Sequence, residues 1–331
     1  MVRALSGFTL LKTTPKSALA ALLALAVFPP VRAQPAPDYA GPVAAAQLAE
    51  PRNEETSGLA VSHRTPGLLW THNDSGGEPV LFALNADGSS RGRIRVEGVA
   101  NYDWEEMASF ELDGKAWLLA ADLGDNFARR PACVLHLIAE PDAAALSPDR
   151  ELLLRPDYSI PFIYEDGARD AEALAVDVKE RAIYILSKRE DTPRLYRLPL
   201  APATAAQPAA ARFVGLVPHL PQPTSLQRLI QRPTQGYLGW PTALDFSPDG
   251  TLALVLVYHQ PLLYPRHPGE SWAEALAREP VKLTPHDLPQ AEAACFSPDG
   301  RALYIASEKT MQLLRYDRRY RKPGCRKGLF G

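Results

Sequence analysis

Carboxylates recur in this chain at one fixed place, the head of a short apolar run. Five stretches share the pattern: "EETSGLAVS" from Glu54, "DWEEMASF" from Asp103, "DAEALAVD" from Asp170, "PTALDFSPDG" from Pro241 and "QAEAACFSPDG" from Gln290. Their heads supply Glu55, Asp103, Glu105, Asp170, Glu172 and Glu292, with neutral Thr242 in the fourth. Side chains two apart share a strand face, so Asp103 points with Glu105, Asp170 with Glu172, and Glu55 with Ser57. Carboxylates gathered in this way are hard oxygen ligands of the kind that suits calcium. Without a cation or a basic partner they raise one another's pKa.

The elements that must position these acids form a repeat. A turn follows each head and leads into a second apolar strand: "LLWTHND", "AWLLAADLGDN", "AIYILSK", "LALVLVYH" and "ALYIAS". Third strands read in "VLFALNADG", "RLYRLPL" and "QLLRYD", and outer strands in "RGRIRVEG", "ARFVGLVP" and "PVKLTPH". Units of about 40 to 50 residues with four short strands predict an all-β fold, a β-propeller of five or six blades. The runner-up is an antiparallel sandwich, which does not require the acidic strand head to recur. The segment "GPVAAAQLA" near residue 41 is a candidate to close the ring, and "PQPTSLQRLIQRPTQG" reads as an insertion. Helical content should be small, with "SWAEALAREP" at 271–280 the best candidate, as an insertion in the fourth unit.

In a propeller the innermost strands run the same way along a central channel, so their first residues meet at one mouth. Second strands run back and return their last residues to it. These ends bring His72, Asn73 and Asp74; Asp122, Asp125 and Asn126; Lys188 and Arg189; His259; and Glu308 and Lys309. The expected metal ligands are Glu55, Asn73, Asp103, Glu105, Asp122, Asp125, Asn126, Asp170, Glu172 and Glu292, with calcium as the cofactor. Lys188, Arg189 and Lys309 beside them favour an anionic small-molecule substrate. His72 and His259 are candidate general bases. The competing account pairs the acids with Lys188, Arg189 or Arg129 as structural ion pairs between units.

Other chemistry lacks its context. No Cys or His pair has zinc-ligand spacing. "GSSRG" at 88–92 matches a serine-hydrolase pattern but lies in a polar hairpin between strands, not at a strand-to-helix elbow. Phosphate loops, dinucleotide fingerprints and H-E-x-x-H are missing from the sequence.

Bulk properties place the chain in a compartment. Arg3, Lys12 and Lys16 precede the apolar run "ALAALLALAVF", and Val31 and Ala33 occupy small-residue cleavage positions. Residues 1–33 therefore read as a secretory signal, 34–318 as a single propeller domain, and 319–331 as a basic tail. The expected location is periplasmic or secreted, with no membrane span after signal removal. Loss of the four basic residues Arg3, Lys12, Lys16 and Arg32 takes the formal charge from −2 to −6, which argues against nucleic acid as a partner. Three cysteines cannot form a disulfide framework; Cys295 reads as a buried thiol and Cys325 lies in the tail. Proline, at 32 of 331 residues, is at about twice average usage and suits strands joined by turns.

The ordered set "ETSGLAVS", "WTHNDSGGEP", "DWEEMA", "GDN" and "DAEAL" resembles a family of exported bacterial β-propeller proteins, over nearly all of the chain beyond the signal. More distantly, acids around a channel resemble calcium-bearing propeller hydrolases, the phytase-like group and the gluconolactonase and paraoxonase-like group. Around "TALDF" this chain keeps Asp245 but has Thr242 and Ala243 where the nearer family places glycine and aspartate. The distant resemblance is one of architecture, and fold alone does not license function; calcium among these acids would suit a metal-dependent hydrolase, polarising an ester, lactone or phosphoester for attack by a metal-bound water. The alternative is a non-catalytic ligand- or protein-binding propeller of the cell envelope. Neither substrate nor oligomeric state is legible.

Overall fold

The computed structural model describes residues 37–222 and 239–319. The signal segment, most of the "PQPTSLQRLIQRPTQG" insertion, Cys325 and the tail beyond Arg319 lie outside the described residues. Within them the fold is all-β and propeller-like. Five antiparallel units follow one another along the chain, and each is a run of hairpins.

The first unit comprises Thr56–Val61, Leu68–Asn73, Val80–Asn85 and Ser90–Val96, with Glu151–Leu154 added in parallel at its outer edge. The second comprises Trp104–Leu112, Lys115–Asp122, Cys133–Ala139 and Tyr158–Tyr164. The third comprises Ala171–Asp177, Ala182–Ser187, Arg194–Pro199 and Ala209–Leu216. A parallel pairing of Tyr158–Tyr164 with Ala209–Leu216 joins the second and third into one eight-stranded sheet. The fourth comprises Pro241–Phe246, Leu252–Val257, Gln260–Pro265 and the short Val281–Lys282. In the fifth, Ala291–Phe296, Ala302–Ser307 and Gln312–Arg319 are completed by Val43–Gln47 from the other end of the chain.

The first strands of successive units touch in sequence, and that of the fifth touches that of the first, so they ring a central axis. Apolar packing lies between units rather than within them. One cluster, for example, joins Leu119, Leu135 and Phe162 of the second unit to Leu174, Ile185 and Tyr196 of the third. Each first strand alternates toward the ring and toward its neighbours, which is why its pattern is nearly continuous apolar after the acidic head.

The "SPDG" turns work by side-chain capture. Ser247 Oγ accepts from the amides of Leu252 at 2.9 Å and Thr251 at 3.2 Å and donates to Asp249 at 2.6 Å; Ser297 repeats this with Ala302, Arg301 and Asp299. Gly250 and Gly300 close these turns at φ of 72° and 65°, left-handed values that glycine takes without a Cβ penalty. "SWAEALAREP" forms a helix only over Trp272–Leu276, started by a capping box of Ser271 and Glu274. It ends early because Pro280 cannot continue a helix. Trp272 is fully buried, stacks on Phe246 at 3.8 Å and donates to Asp177 at 2.8 Å.

Candidate functional site

Every first strand carries a β-bulge at the same place. The register slips between Thr56 and Gly58, Trp104 and Glu106, Ala171 and Ala173, Pro241 and Ala243, and Ala291 and Ala293. The skipped residues are Ser57, Glu105, Glu172, Thr242 and Glu292. A bulge re-aims a side chain out of the pleat, and here the repetition sets five equivalent residues around one end of the ring. They are linked around it: Ser57 Oγ donates to the Glu105 backbone oxygen at 3.0 Å and to its carboxylate at 3.3 Å, and Thr242 donates to the Ala291 carbonyl at 3.0 Å.

One sector is acidic. Carboxylate oxygens of Asp74, Asp103 and Glu105 lie within 4.8 Å of one another, and Asp74 makes a second such group with Glu55 and Glu308. None of the first three is in an ion pair among the described residues. At 4.8 Å two full charges repel by about 3.5 kcal/mol at an effective dielectric constant of 20, so the trio cannot ionise freely. Their protonation reflects this. Burial, then the charges of Glu172 and Asp74, push Glu105 well above the usual carboxylate range. Burial and Asp74 push Asp103 up to about 6, and burial with Glu308 and Glu55 raises Asp74. Glu292 is pushed up to about 9 by burial and Glu172.

Gly124 of the "GDN" stretch fits against this sector. A Cβ there would strike the carboxylates of both Glu105 and Asp103, so a larger residue would have to push them aside. The residue donates its N–H to the Asp103 carbonyl at 3.1 Å.

Neighbouring acids are paired. Lys188 is buried against Glu172, and Arg189 pairs with Asp170 and donates to Asn126. Burial opposes the Lys188 charge, but Glu172, Tyr258 and Glu292 outweigh it and hold the ammonium well above its ordinary range. Burial raises Glu172 to about 7 even against Lys188. Trp240 and Tyr258 flank these cations: Lys188 lies 5.3 Å from the Tyr258 ring and Arg189 4.8 Å from the Trp240 ring. Arg130 bridges to Asp122 at 2.6 Å, its amide donates to Asp125 at 2.7 Å, and Asp125 in turn donates its amide to Asp170 at 3.0 Å. Lys309 pairs with Glu308 at 2.7 Å.

The expected residues thus separate. Asp103 and Glu105 come together with Asp74, and Glu55 with Asp74 and Glu308; Asp74, read from sequence as a mouth residue but not as a ligand, is the member shared by both groups. Asp122, Asp170 and Glu172 face basic partners instead, because Arg130, Arg189 and Lys188 emerge from the adjoining strand ends. Asn73 is consumed as a loop brace, accepting from the amides of Glu54 at 2.9 Å and Glu55 at 3.3 Å. Arg129 lies over the Phe127 ring, 5.5 Å away, rather than on an acid.

His72 corrects an expectation. His72 does not face the mouth: it is fully buried, packed on Gly58 and edge-on to Trp104 at 5.6 Å, and burial lowers its pKa. His259 is exposed, with its ring 6.4 Å from that of His286. One buried acid escaped the sequence reading, and another lies away from the mouth. Glu106, next to the bulge, has one carboxylate oxygen without a hydrogen-bond partner, and burial pushes its pKa well above the usual carboxylate range. Asp245 does not join the mouth; it lines a cavity of about 310 Å³ with residues late in the first strands, and burial pushes it up to about 7.

No protein-family model matches the chain, and no curated protein does either. Among solved structures, the hydrazine synthase of Kuenenia stuttgartiensis aligns over 80% of this chain and 71% of that chain, with a TM-score of 0.39 and 12% identity. At that level the likeness transfers no residue and no chemistry.

Proposed function

We propose that this is an exported five-bladed propeller whose channel mouth holds calcium, or a similar hard divalent cation, and hydrolyses an ester, lactone or phosphoester. The observation that carries the reading is the trio Asp74, Asp103 and Glu105, three converging carboxylates none of which is in an ion pair among the described residues. Oxygen-only donors at that spacing fit calcium, and exported proteins meet enough of it to fill even weak sites. The bound ion would supply a Lewis acid for an anionic or carbonyl oxygen. Asp74, Asp103 and Glu105 hold it, Gly124 leaves it room, and Lys188 and Arg189, paired with Glu172 and Asp170, add positive charge at the mouth that would favour an anionic substrate.

A second reading has its own support. Asp122, Asp170, Glu172 and Glu308 are already paired with Arg130, Arg189, Lys188 and Lys309. A mouth so braced suits a non-catalytic binding propeller of the cell envelope. One experiment decides: turnover of a panel of chromogenic esters, lactones and phosphoesters in millimolar calcium and in chelator. The enzyme reading expects calcium-dependent turnover lost in Glu105→Gln; calcium-dependent stabilisation with no turnover across the panel leaves the binding reading. Export is tested separately by N-terminal sequencing of extracytoplasmic material, which should begin near Gln34.

A further inference from the structure

Beside the acidic trio lies a cleft of about 700 Å³ lined by Tyr102, Phe127, Arg129 and Arg130, with Asp103 and Gly124 at its inner edge. Its two aromatic residues are the most exposed large apolar side chains among the described residues, Phe127 at 77% and Tyr102 at 66%. Such side chains are ordinary when scattered, but two in one cleft with cations between them form a surface that fits a ligand. Arg130 lies 4.6 Å from the Tyr102 ring, fixed by Asp122 and by the Gly124 carbonyl at 2.8 Å. Arg129, by contrast, is exposed and has no ion pair among the described residues, so its guanidinium is free for an anion. The loop that presents them contains Ala128 at φ 50°, a left-handed value that costs a non-glycine residue and that recurs at ligand clamps.

We infer that this cleft binds the anionic, ring-bearing portion of the substrate, with the ring against Phe127 and Tyr102 and the anion on Arg129. The inference rests on the cation reading above, because the Asp103 carboxylate at the inner edge repels an anion until a cation neutralises it. Calcium and the anion must then strengthen each other's binding by the same factor, since linkage is reciprocal.

The test is calorimetric titration of the protein with phenylphosphonate and with methylphosphonate, each in millimolar calcium and in chelator. In calcium, phenylphosphonate should bind about tenfold more tightly than methylphosphonate, the scale of one good aromatic contact. Phe127→Ala should abolish that preference and leave methylphosphonate unchanged, whereas Arg129→Ala should weaken both; both residues are exposed, and circular dichroism checks the fold. Equal affinity for the two phosphonates, no binding of either, or a preference that survives Phe127→Ala overturns the inference. Calcium-dependent melting of the same samples reports on the cation reading by itself. Phenylphosphonate binding that depends on Phe127 and Arg129 but not on calcium would uphold the cleft and sink the cation.

Discussion

Replacing Asp103 by asparagine should stabilise the protein in one solution and destabilise it, relative to wild type, in another. Asparagine keeps the shape and one oxygen and removes a charge. The wild-type carboxyl is pushed up to about 6 from an unfolded value of 3.8, first by burial and then by Asp74. A group raised on folding adds stability that is complete below pH 3.8 and is lost as pH rises through 6. Above pH 6 the ionised side chain is therefore a liability. The full shift corresponds to about 3 kcal/mol, which we reduce to about 1–2 kcal/mol because the group is half-buried and screened by water. In chelator at pH 8, Asp103→Asn should melt about 2–4 °C above wild type, and at pH 4 the advantage should vanish. In calcium the order reverses. An ion at a hundredfold excess over its Kd adds about 2.7 kcal/mol to wild type, and the variant, short of one ligand charge, gains less. Differential scanning calorimetry at both pH values, with chelator and with calcium, gives four pairs of melting temperatures. A variant less stable than wild type in chelator at pH 8, or equal calcium shifts in the two proteins, would refute the reasoning.

Three further outcomes follow from the same geometry. Gly124→Ala should leave the fold intact but lower calcium affinity by about tenfold or more, read by calorimetric titration, since its Cβ displaces two ligand carboxylates. Lys188→Met strands buried Glu172 without its partner and should cost about 3–5 kcal/mol at pH 8 in denaturant melts. Much of that loss should return on adding Glu172→Gln or on acidification well below pH 7, where Glu172 is protonated. Trp272→Ala, which empties a stacked and hydrogen-bonded position between the third and fourth units, should cost about 3–5 kcal/mol at any pH without altering the calcium response.

Much of the fold was legible because strand pairs leave a local trace. First and second strands, the "SPDG" hairpins and the early strand near Val43 all announce themselves by alternation and turn chemistry. Tyr158–Tyr164 did not, because Pro161 interrupts it, and Glu151–Leu154 pairs only with a distant edge in parallel. The acidic head of each unit was legible as a pattern, but the bulge that aims it was not. A bulge is a mismatch between two strands, and one strand's residues do not record it. For the same reason sequence could not divide the acids. Asp103 and Asp170 occupy equivalent heads, yet Arg189 reaches one and no cation is paired with the other among the described residues. His72 misled because its strand position lies near the mouth while its side chain turns inward against Gly58, whose missing Cβ makes the space.

The completion of the fifth unit by Val43–Gln47 ties Ala44 to Leu314, almost the full length of the chain apart. Loop closure over that distance costs entropy that nearby contacts cannot recover in advance, so this seam must await Gln312–Arg319. A chain emerging N-terminus first would carry Val43–Gln47 unpaired until Gln312–Arg319 is made. That strand is mostly small residues, "VAAAQ", and four of its five positions stay exposed even when paired. An unpaired strand of that composition offers little apolar surface for mispairing while it waits, which makes it a safe choice for a segment that joins late.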